Sequence, residues 1–547
     1  MSDNILIIIP ARGGSKGIPR KNLRLLNNKP LIYYVINQAI KVPNAIVYVS
    51  TDDKEIEILS TKFGANVIFR TADKLSNDQA TLDPVIYEAY NFIEKQLDKV
   101  FDLVVTMQPT SPLIRHQSLQ NAIDLFFKNK NLSTVISAVE DTHLSWSISD
   151  EKVLKPNYNK RLNRQFLKKN FKETGGFLIT RREFVKSDSR IGPNIELYLL
   201  DNGEEIDIDN FNDWNVCEYL IRKQKILFVV RGNSKIGLGH VYNLLGLASV
   251  IVSHDIEFLV FKGDSLAFNK IKEANYKVTY QVHENILEDI QIANPKVVIN
   301  DILDTSFQYI QGLKDLNLKV INFEDLGSGS EIADLVFNPI YENLSLNREN
   351  KFFGQKYFIL RDEFIYTSEV KVIKKRVKKV MLSFGGVDPN NLTCKVLNSI
   401  YDFCVVGNIE IIVIAGYGYE KFESLSSYIK ATILKDVSDI SKYMNEADLI
   451  FTSAGRTVYE ICSTGTPAIV LAQNERELTH FFANSKYGFI NLGLGNQISS
   501  KLILKEFKNL VDNLQIRKLL NKTMINQNLK LGKSIVRQKI LKLIEDE

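Results

Sequence analysis

Cysteine is scarce in this chain: four residues in 547, Cys217, Cys394, Cys404 and Cys462, none in a close metal-type pair. So few thiols cannot staple a chain of this length, and they suit a reducing, cytoplasmic compartment. Long apolar runs are lacking too. The run Ile5–Ile9 follows Met1-Ser2-Asp3-Asn4 without a basic region or cleavage-type segment, so it reads as a first strand, and nothing downstream approaches a membrane-spanning length. Charge of one sign is nearly balanced, with a net +5 from 69 basic and 64 acidic residues, which gives little reason to expect a nucleic acid partner. Compositional bias is also missing: 45% hydrophobic and 24% charged residues exclude bulk disorder and a fibrous repeat. A chain this long exceeds one core and should divide into lobes of roughly 150 residues each.

What is present is an α/β grammar. Short β-branched runs, Ile5–Ile9, Ala45–Ser50, Asn66–Arg70 and Leu103–Met107, alternate with amphipathic stretches and predict a mostly parallel sheet. A strand-like Ile206–Ile208 precedes a helical segment, Asp213–Ile221, and the polar junction Arg222-Lys223-Gln224-Lys225 closes a first domain, residues 1–224. The pattern then restarts with Ile226–Val230, a glycine turn and an apolar helix from His240 to about Val252. Further strands are expected near Glu257–Phe261, Val297–Asn300 and Lys319–Phe323. The stretch Val370–Lys379, with five lysines and one arginine, leads into the strand Val380–Phe384. Two Rossmann-like lobes, 225–369 and 370–547, joined by a basic linker are expected, with a lysine-rich helical tail from Ser500 whose charges form a solvated face.

The loop after the first strand, Pro10-Ala11-Arg12-Gly13-Gly14-Ser15-Lys16-Gly17-Ile18-Pro19-Arg20-Lys21-Asn22, gathers glycines, a hydroxyl and cations. Glycines let backbone N–H groups approach phosphate oxygens, and Arg12, Lys16 and Lys21 can neutralise charge on a departing pyrophosphate. The spacing is not that of a Walker loop. Asp207 and Asp209, two apart on the expected strand, would face one way and could hold a hard divalent cation, although an acidic pair alone is more often a surface feature.

These residues, together with Val49-Ser50-Thr51-Asp52-Asp53, Phe69-Arg70 with Ser76-Asn77-Asp78, Gln108-Pro109-Thr110-Ser111-Pro112-Leu113 and Ile206-Asp207-Ile208-Asp209, resemble the motif set of the CMP-sialic acid synthetases, or acylneuraminate cytidylyltransferases, over residues 1–222. The resemblance implies a Rossmann-like, GT-A-like nucleotidyltransferase that joins a nonulosonic acid to CMP from CTP with magnesium. It implies that Arg12, Gly13, Ser15, Lys16, Lys21 and Asn22 contact the nucleotide, that Arg70 and Gln108 face the cleft, and that Asp207 and Asp209 hold the metal. Arg12, Lys21 and Asp209 are then the catalytic candidates. Arg164, Gln165 and Lys172 fall in the acceptor region, where Lys172-Glu173-Thr174-Gly175 replaces a common Arg-Pro-Asn-Gly; a lysine binds a carboxylate as a point charge, which leaves the sugar open. The family also suggests a homodimer.

The second region begins with Arg231-Gly232-Asn233-Ser234-Lys235-Ile236-Gly237-Leu238-Gly239-His240, whose glycines Gly237 and Gly239 would set backbone donors at a helix N-terminus, with His240 placed to accept a proton. Ser383-Phe384-Gly385-Gly386-Val387-Asp388 and Ser453-Ala454-Gly455-Arg456-Thr457-Val458-Tyr459-Glu460 resemble the nucleotide lobe of GT-B enzymes that use UDP-sugars. That resemblance implies glycine turns on the diphosphate and Glu460 on the ribose. With Phe323-Glu324-Asp325-Leu326-Gly327 and Phe358-Ile359-Leu360-Arg361-Asp362, the region is similar to the UDP-sugar hydrolase of pseudaminic acid synthesis and its spore-coat polysaccharide relatives, in which a histidine assists water. Tyr242-Asn243-Leu244 stands where those hydrolases commonly show Met-Arg-Cys, which leaves substrate and hydrolysis open beside glycosyl transfer and a silent nucleotide-binding module.

Overall fold

The computed structural model describes residues 4–15, 17–70, 81–150, 152–342, 349–366, 371–437 and 439–545. Lys16, the Ser76-Asn77-Asp78 motif and Val370 therefore lie outside the described residues. The chain divides into two compact units, Met1–Arg222 and Lys223–Glu547.

The first unit is built on a seven-stranded sheet in the order Ile195–Leu199, Thr134–Glu140, Phe171–Arg181, Leu103–Met107, Ile5–Ala11, Ala45–Thr51, Asn66–Phe69. Ile5–Ala11 is parallel to both neighbours, and Ile5 to Ile9 are buried on both faces, as a central parallel strand requires. Phe171–Arg181 runs antiparallel to its two neighbours, and its register slips between Glu173 and Leu178, a bulge that spans Gly175 and Gly176. The strand order reverses beside Ile5–Ala11, and ligands of open α/β sheets bind at such a switch point, outside the carboxyl ends of the strands.

The second unit holds two all-parallel sheets, one of seven strands and one of six. In the first, Lys225–Val230 lies between Asp255–Val260 and Val297–Asp301; in the second, Lys379–Ser383 lies between Glu410–Ala415 and Leu449–Thr452. Each sheet thus has its own switch point, and the architecture is two Rossmann-like lobes after a Rossmann-like α/β domain.

Three local expectations are corrected. Ile206–Ile208 is no strand: the Ile208 N–H donates to the Thr110 carbonyl at 2.8 Å, while its own carbonyl is taken by Lys21 Nζ. Asp207 and Asp209 are therefore not brought together by a shared strand face. The helix expected to run to Val252 spans Gly239–Ala248. The tail forms three helices, Ser500–Asp512, Leu514–Ile525 and Gly532–Glu545, and its charges are not all solvated, because Arg517 and Lys533 are buried. The last helix packs Val536, Ile540 and Ile544 into the core of the seven-stranded lobe.

Candidate active sites

In the first unit the loop after Ile5–Ala11 is pressed against the aspartate segment. Ile18 shares a small buried core with Ile208 and Trp214. A Cβ on Gly17 would fall 2.3 Å from the Asp209 carbonyl oxygen, so only glycine permits this approach. The Gly13 N–H donates to Asp52 Oδ1 at 2.8 Å, and Asp53 caps the helix Lys54–Lys62, so Val49–Asp53 forms the backing of the loop.

Lys21 ties the two motifs together. Its Nζ donates to the Ile208 carbonyl at 2.5 Å and lies 3.8 Å from Asp209 Oδ1. Burial pulls its ammonium below the usual lysine range, with Asp209 and Asp207 opposing and Arg12 adding to the effect. Burial likewise lowers Arg70, with Asp52 opposing and Arg12 again adding. Lys21 and Arg70 therefore both lie within charge range of Arg12, with Arg70 faced by Asp52 and Lys21 by Asp207 and Asp209. Asn22 serves the loop itself, its Nδ2 donating to the Arg12 carbonyl at 3.0 Å, and Ser15 is half-buried nearby.

Gly175 lies beside the other predicted residues. A Cβ there would lie 3.0 Å from Ser111 Oγ, 3.2 Å from Gln108 Nε2 and 3.3 Å from Asp207 Cγ, so these side chains converge over one stretch of backbone. Asp207 Oδ1, Thr110 Oγ1 and Ser111 Oγ are buried without a hydrogen-bond partner among the described residues. Leaving a buried polar atom unpaired costs about 1–3 kcal/mol, more for a charged group. Asp207, with the 79%-exposed Asp209 side chain, could offer hard oxygen donors of the kind magnesium prefers. Arg164, Gln165 and Lys172 are exposed, and Arg164 lies within charge range of Glu140.

In the second unit a cleft of about 340 Å³ is lined from both lobes by Gly237, Gly239 and His240 and by Gly385, Gly386, Gly455 and Glu460. His240 Nδ1 stands 2.5 Å from Asp301 Oδ1, and Asn243 Nδ2 donates to Asp301 Oδ2 at 2.7 Å. A carboxylate only accepts, so Nδ1 carries the proton and Nε2 is the basic nitrogen. Arg456 Nη2 lies 2.7 Å from Glu324 Oε1 and 3.4 Å from Asp301 Oδ2. His240, Asp301 and Glu324 are close enough to hold a metal, but the Arg456 guanidinium already supplies the cation between the carboxylates.

Two expectations shift here. Gly239 opens space for a side chain: a Cβ on it would lie 2.9 Å from Arg456 Cδ. Glu460, expected on a ribose, accepts from Arg361 Nε at 2.8 Å, so any such contact is shared with that guanidinium.

A family profile described as cytidylyltransferase matches residues 6–228. CMP-N,N'-diacetyllegionaminic acid synthase of Campylobacter jejuni subsp. jejuni serotype O:2 is 32% identical over 223 residues, which is 40% of this chain and 94% of that protein. The chain belongs to the cytidylyltransferase family. Spore coat polysaccharide biosynthesis protein SpsG of Bacillus subtilis (strain 168) is 24% identical over 322 residues, 56% of this cytidylyltransferase chain and 94% of that protein. Uncharacterized protein MJ1062 of Methanocaldococcus jannaschii is 34% identical over 271 residues, 46% of this chain and 56% of its own length, so the chain spans little more than half of that relative.

Sequence reasoning assigned no role to four residues at the second unit's cleft. Asp301 could have been found as an acid at the carboxyl end of an apolar strand, and Glu324 and Arg456 stood inside the Phe323–Gly327 and Ser453–Glu460 motifs without roles of their own. His480 lay outside any motif. Its Nδ1–H donates to the Ala454 carbonyl at 2.9 Å, its Nε2 is buried without a partner among the described residues, and burial holds the ring below the usual histidine range.

Proposed function

We propose that the first unit transfers CMP from CTP to the anomeric hydroxyl of a sialic, legionaminic or pseudaminic type of nonulosonic acid, releasing pyrophosphate. The observation that carries this reading is the cluster in which Lys21 joins the glycine loop to Asp207 and Asp209. The names of the cytidylyltransferase relatives support the substrate class. The sugar hydroxyl attacks the α-phosphorus while Arg12 and Lys21 stand where charge gathers on the leaving pyrophosphate. Asp207 and Asp209 would hold magnesium, which when bound polarises phosphate oxygens and acidifies the attacking hydroxyl. Ser15, Asn22, Arg70 and Gln108 are assigned to the nucleotide, and Arg164, Gln165 and Lys172 to the acceptor. The test is pyrophosphate release by the purified chain from CTP with a panel of nonulosonic acids; no release with any of them would overturn the reading.

For the second unit we infer hydrolysis of a UDP-linked amino sugar. His240, oriented by Asp301 through Nδ1, takes a proton from water at Nε2 as the C–O bond to the diphosphate breaks. The same pair could deprotonate a sugar hydroxyl, so glycosyl transfer is the second reading. Incubation with UDP-sugars and no acceptor separates them: free sugar plus UDP supports hydrolysis, whereas UDP formed only with an acceptor supports transfer. A His240→Ala chain unchanged in every activity would support a silent module instead. The four free thiols fit the cytoplasm, and a homodimer is proposed through the first unit, where the short antiparallel strands Trp146–Ile148 and Leu154–Pro156 expose Trp146, Ile148 and Leu154.

A further inference from the structure

The ion cluster at the base of the second unit's cleft joins its two lobes and exceeds what the His240–Asp301 pair needs. Arg456 precedes the helix Thr457–Thr464 of one lobe, whereas Asp301 ends one strand of the other lobe and Glu324 follows the next. The guanidinium reaches across over position 239, where a Cβ would lie 2.9 Å from Arg456 Cδ and 3.3 Å from its Nε, so a side chain there would displace the arginine. Glu324 meets it from a left-handed backbone, φ 53°, an arrangement that costs on the order of 1 kcal/mol in a residue other than glycine. A strained residue, a vacated side-chain position and two buried carboxylates all converge on one arginine. Stability does not require this, because a buried ion cluster is often no more stabilising than apolar packing of the same volume. Arg456 also lines the same cleft as Gly385, Gly386 and Gly455, where the reading above sets a diphosphate.

We propose that Arg456 is a diphosphate ligand held in reserve: Asp301 and Glu324 hold its guanidinium until the diphosphate of a nucleotide sugar takes it from them. The inference rests on the nucleotide-sugar reading of the second unit. A guanidinium suits phosphate as well as carboxylate, through the same two-pronged donors. The carboxylates therefore compete with the ligand, and observed affinity is reduced by whatever it takes to release the arginine. Once Arg456 moves, Asp301 is left to His240 and Asn243, so nucleotide binding is linked to the setting of the base.

The test is a double-mutant cycle on the full chain, with UDP as the probe and calorimetry as the readout. Glu324→Gln is expected to tighten UDP binding about fivefold to tenfold by freeing the arginine, and Arg456→Gln to weaken it about tenfold. In the double variant the tightening should vanish. Uridine, which lacks phosphates, should bind all four proteins alike, a control that an unfolded variant fails. Equal tightening with and without Arg456 would mean that Glu324 acts on the ligand directly and would overturn the proposal, as would no tightening in the chain that keeps Arg456. A wild-type chain that binds no UDP would overturn the nucleotide-sugar reading and this inference with it, whereas UDP binding with an additive cycle overturns the inference alone.

Discussion

Lys21 shows how one side chain can carry a site. It touches the Ile208 carbonyl, faces Asp209, and lies within charge range of Arg12. Replacing it by methionine removes a charge aimed at the leaving pyrophosphate and should lower CTP turnover about 10²-fold to 10³-fold, as loss of one transition-state donor does. Asp207→Asn should be as damaging, and turnover within a few-fold of wild type in either variant, measured by pyrophosphate release, would remove that residue from the mechanism. The glycine loop was legible as a candidate anion site by its own composition, whereas Asp207 and Asp209, alone more often a surface feature, were singled out only by the family resemblance. Arg456 and Asp301 were not legible, since they stand 155 positions apart and meet only when two lobes fold. Glu477 was equally hidden. Burial pushes its carboxyl up to about 7, although the Gln473 and Ala454 N–H groups oppose this. The folded chain thus binds this proton more tightly than the unfolded chain, so the stability it contributes is whole below the ordinary carboxylate range and is lost as pH rises through about 7. His480 works the other way, its contribution fading as pH falls through the histidine range. Glu477→Gln should therefore gain about 1–3 kcal/mol over wild type at about pH 8 and little at about pH 5, read by urea unfolding; a difference that stays flat with pH would refute the assignment.

At the scale of elements, the runs that read as strands by their β-branched residues are strands, and Lys319–Phe323 and Leu103–Met107 even keep their bounds. Ile206–Ile208 shows where that reasoning stops. Its alternation is that of a strand, yet its backbone groups are taken by Lys21 and Thr110, and the Asp209 and Asn210 N–H groups by Asp213 Oδ2, so no ladder forms. The tail was opaque for another reason: amphipathic spacing reveals a buried face but not its partner. Arg517 sends its guanidinium to the carbonyls of Leu510, Val511, Lys374 and Lys375, and so fastens the helix ends to the basic linker. Arg517→Met would leave one buried and three part-buried carbonyls without their donor and should destabilise the second unit by about 1–3 kcal/mol. Thermal unfolding checks this, and an unshifted transition would show that the linker holds without it.

Across the whole molecule one rule places every site. Each of the three large sheets reverses its strand order beside the strand that opens it in the chain, and Arg12, His240 and Gly385 all come after such a strand's carboxyl end. The rule also explains why the motifs were readable before the packing was, because a glycine turn after an apolar run is a local feature and a switch point repeats it. Each unit owns its cores. Those around Ile7, Ile8 and Ile18 draw only on residues before Arg222, and those around Phe228, Val229, Met381 and Val413 draw only on residues after Lys223, among the described residues. A unit that closes its own cores should fold when the chain is cut at its boundary. Residues 1–222 expressed alone should therefore turn over CTP, and residues 223–547 alone should bind UDP and melt in one cooperative step. A first fragment that is folded by circular dichroism yet inactive with every nonulosonic acid that the full chain accepts would show that its chemistry needs the rest of the chain. A second fragment without a cooperative transition would show that its cores are incomplete as drawn.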